Sequence, residues 1–330
     1  MLPVERALLI INRTAGTGQD EWIAEKLISL FKRGLEDLPC VQVESVSNHT
    51  AVRACTAEFV SASTAPALVV AGGGGGTLRA VIEGVCHSPQ HVRVGALRMG
   101  SGNLLAKQFG VPHDPVVALH GLLTNLKAGR TVPCCVMRCQ TWTSSGTSEL
   151  HHAVTLGGLG QFGHIPSDLA RWHARFPFLH KSAARVFGIE KLTNIEYALA
   201  FVIRFVSCML FPDRAEKVEI QFQGRTERLR LLSGLVMNFP IPALPLKPNV
   251  TVEDEALVVY LIPLSLHRRR IRIEKDQRLE IRLLDRDCVE LFLDEDPVTT
   301  HKRLNLEVAG LITFVPGPDY PSIADRGVSK

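Results

Sequence analysis

The chain has 330 residues, 46% hydrophobic and 21% charged, with a mean hydropathy of +0.12; this excludes a disordered polymer and a disulfide mini-scaffold. The length suits two domains or one large α/β unit. A net charge of +4 and a pI near 8.6 fall short of a dedicated nucleic-acid domain, for which a pI above roughly 9 is expected. Anionic small ligands or an anionic membrane surface fit better.

Residues 1–6 hold no cationic segment, and the apolar run 7–11 is too short for an export signal. From there to about residue 130 strands and amphipathic helices alternate. Strands are expected at 7–12, 41–45, 67–71 and 92–97, with helices over 20–38, 51–60, 77–85 and 103–109. The layout is that of a doubly wound α/β domain, placed at 1–130. Short strand patterns then recur at 132–140, 152–156, 218–222, 228–237, 256–262, 278–284 and 288–293, interrupted by a helical insertion over 167–211. The second half, 131–307, reads as an antiparallel β-sandwich-like domain carrying that insertion. The closing run 308–315 predicts a strand that returns to the first domain.

The stretch 195–211 contains Glu196 and Arg204 and is shorter than the roughly 20 apolar residues of a membrane span. With Trp172, Phe176, Arg171 and Arg175 nearby, it suits either cap helices or a membrane-facing pair. The basic run 267–270 suits a solvated loop ahead of contact with anionic headgroups. Eight cysteines show no CxxC pair and read as reduced thiols of a cytosolic protein. Cys135 and Cys139 are expected in buried strands rather than in a metal cluster with His151 and His152.

The glycines carry the functional signal. Strand 67–71 runs into Gly72, Gly73, Gly74, Gly75 and Gly76, with Thr77 opening a helix; strand 92–97 runs into Gly100, Ser101, Gly102 and Asn103. Backbone without Cβ approaches a phosphate closely, and the N–H groups and dipole of a following helix favour an anion. Two such loops on neighbouring strands predict phosphate binding. A Walker loop and the protein-kinase motifs are missing, MGSGN lacks the spacing of a nucleophile elbow, and the GxGxxG at Gly158, Gly160 and Gly163 lies in the β-rich half, away from any βαβ unit.

Three segments in order, ALLIINRTAG at 7–16, ALVVAGGGGGTLRAVI at 67–82 and VGALRMGSGNLLAKQFGVP at 94–112, resemble the diacylglycerol kinase catalytic family, which includes sphingosine kinases and bacterial soluble lipid kinases. GRTVP at 129–133, VTLGGLGQFG at 154–163, EDEALVVY at 253–260 and LDEDPV at 293–298 continue the resemblance. It implies an ATP- and Mg²⁺-dependent kinase phosphorylating a diacylglycerol-like or sphingoid lipid alcohol that enters an interdomain cleft. The thiols and mild charge already suit a cytoplasmic protein with no nucleic-acid partner, and the 169–211 composition leaves peripheral contact at the inner membrane face open beside plain cap helices. Nucleotide contacts fall to Asn12, Gly16, Ser45, Gly74, Gly75, Gly76, Thr77, Gly100, Ser101, Gly102 and Asn103. Asp294 takes the acid–base role on the lipid hydroxyl, supported by Asp296, while Asp254, with the backbone of Ala256, matches a divalent-cation position. Gly75 stands where the family keeps the aspartate of GGDGT, and Leu104 where it keeps that of GND. A second reading therefore stays open: a catalytically impaired member that binds nucleotide or lipid.

Overall fold

A computed structural model describes residues 3–15, 20–86, 91–100, 103–176, 189–241, 246–294 and 296–321. Two compact units emerge, Met1–Cys134 with Leu311–Lys330, and Cys135–Gly310.

In the first unit, strands β1 (Arg6–Asn12), β2 (Cys40–Val46), β3 (Ala67–Gly73) and β4 (Val92–Arg98) alternate with helices α1 (Glu21–Gly34), α2 (His49–Ser61) and α3 (Gly75–Val85). After β4 come the short α4 (Leu104–Gln108) and α5 (Pro115–Lys127). All pairings are parallel, β1 lying between β2 and β3, and β3 beside β4. β3 is buried throughout and β1 nearly so, as strands covered on both faces must be. The cover comes from two helical pairs, α1 with α5 and α2 with α3. Gly34 makes room for Leu123 of α5, and Gly84 for Thr56 of α2. No helix was expected at α5; Asp114 caps it by accepting from the N–H groups of Val116 and Val117, and Pro115 opens it. Near the chain end, Thr313 and Phe314 pair in parallel with Arg93 and Val94 of β4.

The second unit is built on antiparallel strands. β5 (Val132–Trp142) enters it and pairs with β6 (Ser148–Ala153); β7 (Leu156–Gly160) pairs with β9 (Arg225–Met237). β8 (Glu216–Phe222) and β10 (Ala256–Pro263) also flank β9; β11 (Arg269–Glu274) pairs with β10, and β12 (Arg278–Leu283) with β8. β13 (Cys288–Leu293) and β14 (Asp296–His301) form a hairpin against β7, and β15 (Arg303–Phe314) pairs with β12. The insertion supplies α6 (Ile165–Arg175) and α7 (Ile189–Leu210). Cys135, Met137 and Cys139 point into the main core with Val259, Leu291 and Leu304.

Two readings need correction. The basic run at 267–270 is not all loop: Arg269 and Arg270 open β11 opposite Leu261 and Tyr260, and Arg269 pairs with Glu227 at 2.7 Å. The single strand expected at 152–156 is broken at Val154 and Thr155, because their N–H groups turn to the carboxylate of Asp294.

Candidate functional site

The strand order changes direction between β1 and β3, and in open parallel sheets ligands bind beyond the carboxyl ends of the strands at such a point. Register aligns the three loop origins there: Ile11 pairs with Gly72, Asn12 with Val46, and Gly73 with Arg98. Asn12 is buried and spans the switch point, its Nδ2 donating to Thr77 Oγ1 at 2.9 Å. Its Oδ1 accepts from the N–H and hydroxyl of Thr14 at 3.0 and 2.7 Å.

Several of the loop glycines have a packing reason. A Cβ on Gly73 would lie 2.3 Å from Thr77 Oγ1, one on Gly76 2.3 Å from the His49 ring, and one on Gly100 2.6 Å from the Cα of Gly74. Met99 N–H donates to Gly73 O at 3.0 Å, drawing the two glycine loops together. Gly74 differs: a Cβ there meets nothing closer than 3.6 Å, and its φ of −90° suits any residue. It caps α3 without a side chain to offer, whereas Asn48 caps α2 and Asp114 caps α5 with side-chain oxygens. The first-turn N–H groups of Gly75, Gly76 and Thr77 have no intrahelical acceptor, so they face the anion-favouring end of an 11-residue helix. This cradle fits phosphate oxygens.

The remaining predicted residues of this unit divide. Asn103 is buried, adopts the left-handed region with φ 32°, and donates from Nδ2 to Gly100 O. Ser45 is exposed at the end of β2. Gly16, Ser101 and Gly102 lie outside the described residues. His49, which the sequence reading missed, sits against Gly76; a histidine 27 positions upstream carries no local signal of that contact. The glycine turns after β3 and β4, residues 74 and 99–103, contain no carboxylate, and among the described residues no group of three His, Cys, Asp or Glu side chains could hold a metal ion. The two glycine turns thus offer backbone donors to an anion and no carboxylate to a cation.

In the second unit, Asp294 is 4% exposed with φ 48° at the β13–β14 turn. Its Oδ2 accepts from Val154 N–H at 2.6 Å, and Oδ1 accepts from the N–H groups of Thr155 and Leu156 at 2.8 and 3.0 Å and from the Thr155 hydroxyl. A carboxylate offers about two lone-pair sites on each oxygen; three donors crowd Oδ1 and one meets Oδ2. The group fastens the β6–β7 break to the hairpin. Asp296 is half-buried at the start of β14. Asp254 is exposed and accepts through Oδ2 from Thr251 N–H at 2.6 Å and its hydroxyl at 3.1 Å, while Ala256 N–H donates to Asp254 O at 2.7 Å. That turn is closed on itself. Gly158 and Gly160 sit in β7, where a Cβ on Gly158 would overlap Phe292 and Gly160 has φ +62°; the GxGxxG is thus packing and turn geometry.

Another acidic cluster went unread in the sequence. Glu216 is 2% exposed, one of its oxygens lacks a hydrogen-bond partner, and burial pushes its pKa up to about 7. His164 lies 4.0 Å from Glu216 and 3.8 Å from Glu290; burial, then Arg204, pushes its pKa down. Beside it opens a cleft of about 560 Å³, where the Arg204 guanidinium bonds both oxygens of Asp168 at 2.5 and 2.7 Å. Burial pushes the Asp168 carboxyl up, but the Arg204 and Arg171 guanidiniums more than offset it, leaving it below its usual value.

Residues 6–135 match the diacylglycerol kinase catalytic domain. No curated protein matches the chain. Among solved structures, the chain is similar to a diacylglycerol kinase from Bacillus anthracis str. Sterne, with a TM-score of 0.60 at 15% identity over 96% of this chain and 99% of that one. Two others from the same organism, provisionally named diacylglycerol kinases, give TM-scores of 0.67 and 0.61 at 15% and 17% identity, covering 97% and 96% of this chain and 98% and 99% of theirs. At these identities the likeness shows the fold, which reaches across both units.

Proposed function

We propose, from a first unit that carries a diacylglycerol kinase catalytic domain, that this protein binds ATP by its phosphates at the switch point of the first sheet and phosphorylates a lipid alcohol. The observation that carries the reading is the uncapped N-terminus of α3: Gly74 keeps side-chain atoms away from N–H groups that have no intrahelical acceptor. ATP supplies the phosphoryl group when bound. Gly75, Gly76 and Thr77 would donate to its oxygens, and the Asn12–Thr77 bond holds the two loops at fixed spacing. The two glycine turns themselves supply no carboxylate for Mg²⁺. Of the two acids assigned to the lipid hydroxyl, Asp294 accepts four donors that tie it to the β6–β7 break, and in this reading it acts as a positioning residue. Asp296 is the acid–base group in this reading, a role worth about 10²- to 10⁴-fold in rate.

Calorimetry with ATP and transfer from labelled ATP to a panel of diacylglycerol, monoacylglycerol and sphingoid base test it. ATP binding is expected, weakened by Gly74→Ala at unchanged thermal stability, because that Cβ has room in the fold. Transfer to a panel member is expected to fall in Asp296→Asn. Absence of ATP binding would overturn the proposal. The second reading, a nucleotide-binding member without transfer, is favoured by Gly75 and by the engaged Asp294; it predicts ATP binding with no labelled lipid, and activity on Gly75→Asp substitution.

A further inference from the structure

Ten of the sixteen exposed large apolar side chains among the described residues fall between Trp172 and Phe211, so the exposure is local rather than scattered. On α7, Ile195, Leu199, Val202, Val206 and Met209 follow the spacing of one helical face and are 37–54% exposed. The opposite face is also apolar, Ala200, Tyr197 and Phe201 packing on Ile165 and Leu169. A helix apolar on both sides needs a second cover. Among the described residues no helix is long and apolar enough to cross a membrane, so this helix would lie along an interface rather than through it.

Charge selects the cover. Trp172 and Ile203 belong both to the exposed patch and to the 560 Å³ cleft, whose charged lining has three guanidiniums, Arg204, Arg214 and Arg286, against the single carboxylate of Asp168. Arg204 is spent on Asp168, leaving a positive excess. At two places a guanidinium lies over an exposed ring, Arg214 over Phe211 at 4.8 Å and Arg175 over Phe176 at 5.6 Å. Aromatic rings beside cations on the rim of an apolar stripe match the depth profile of an anionic bilayer, rings at the headgroup boundary and cations among phosphates.

We propose that the α6–α7 face docks on an anionic phospholipid surface, the α7 stripe entering the acyl boundary and a headgroup phosphate entering the cleft against Arg214 and Arg286. The choice of a bilayer over a second copy of the chain rests on the lipid-kinase reading. Sedimentation of the full chain with phosphatidylcholine vesicles, and with vesicles half phosphatidylglycerol, tests it without nucleotide. Binding is expected only with phosphatidylglycerol present, weakening as salt rises. It is expected to drop at least about tenfold in Val202→Asp/Val206→Asp, two exposed positions, and to stay unchanged in Leu150→Asp, exposed but outside the patch. Should the double variant fold poorly, a blue shift of tryptophan emission on vesicle addition, lost in Trp172→Phe, reads the same contact. No binding to anionic vesicles at low salt, equal binding by the double variant, or a dimer that this variant dissociates would overturn the proposal. Transfer to a short-chain, water-soluble alcohol without vesicles reports the kinase reading separately.

Discussion

The glycine loops of the first unit and the Asp294 turn of the second solve opposite problems with backbone N–H groups. In the loops, N–H groups at the start of α3 have no intrahelical acceptor and the cap residue has no side chain to give one. At the turn, three N–H groups and a hydroxyl converge on one buried carboxylate. The first arrangement leaves donors available to a ligand anion; the second supplies the anion from within the chain. A carboxylate in a motif position is therefore no sign of catalysis until its acceptor capacity has been accounted for.

Removing the internal anion is the strongest way to break this contrast. Asp294→Ala strands three N–H groups and a hydroxyl in a buried turn and is expected to cost about 3–5 kcal/mol in urea unfolding. If Asp294→Asn instead kept full stability and lost transfer, the carboxylate would be a base rather than a fastener.

A second buried carboxylate sharpens the comparison. Glu216 lies in the same unit, as buried as Asp294, yet one of its oxygens has no donor and its pKa rises to about 7 from 4.5. Raised in the folded state, it binds a proton that the unfolded chain releases near pH 4.5. Its contribution is present below that pH and is lost as pH climbs to about 7. The stability advantage of Glu216→Gln over the parent should thus grow by on the order of 3 kcal/mol across that interval and then level off. A pH-independent difference in urea midpoints would show that Glu216 is solvated or paired.

On the loop side, Gly100→Ala pushes a Cβ to 2.6 Å from the backbone of Gly74. The expected cost is about 1–3 kcal/mol in thermal unfolding, with weaker ATP binding because the two loops separate. Retained affinity in this variant would mean that the loops do not act together.

Much of the first unit was legible in the sequence. Strand and helix periods from residue 7 to 109 and the glycine turns depend on neighbours a few positions away, and the α/β class follows from their alternation. Phosphate binding at two loops could be argued from the same local chemistry. The second unit was read less well, because a residue's role there depends on partners far along the chain. The strand expected at 152–156 breaks where Val154 and Thr155 meet a side chain 139 or 140 positions later. Neither that break nor the burial of Glu216 leaves a mark on local spacing. The sequence by itself determined where backbone without side chains would gather, since glycine acts at its own position. Only the tertiary structure decided which donors meet each carboxylate, since folding brings them from far along the chain to each oxygen.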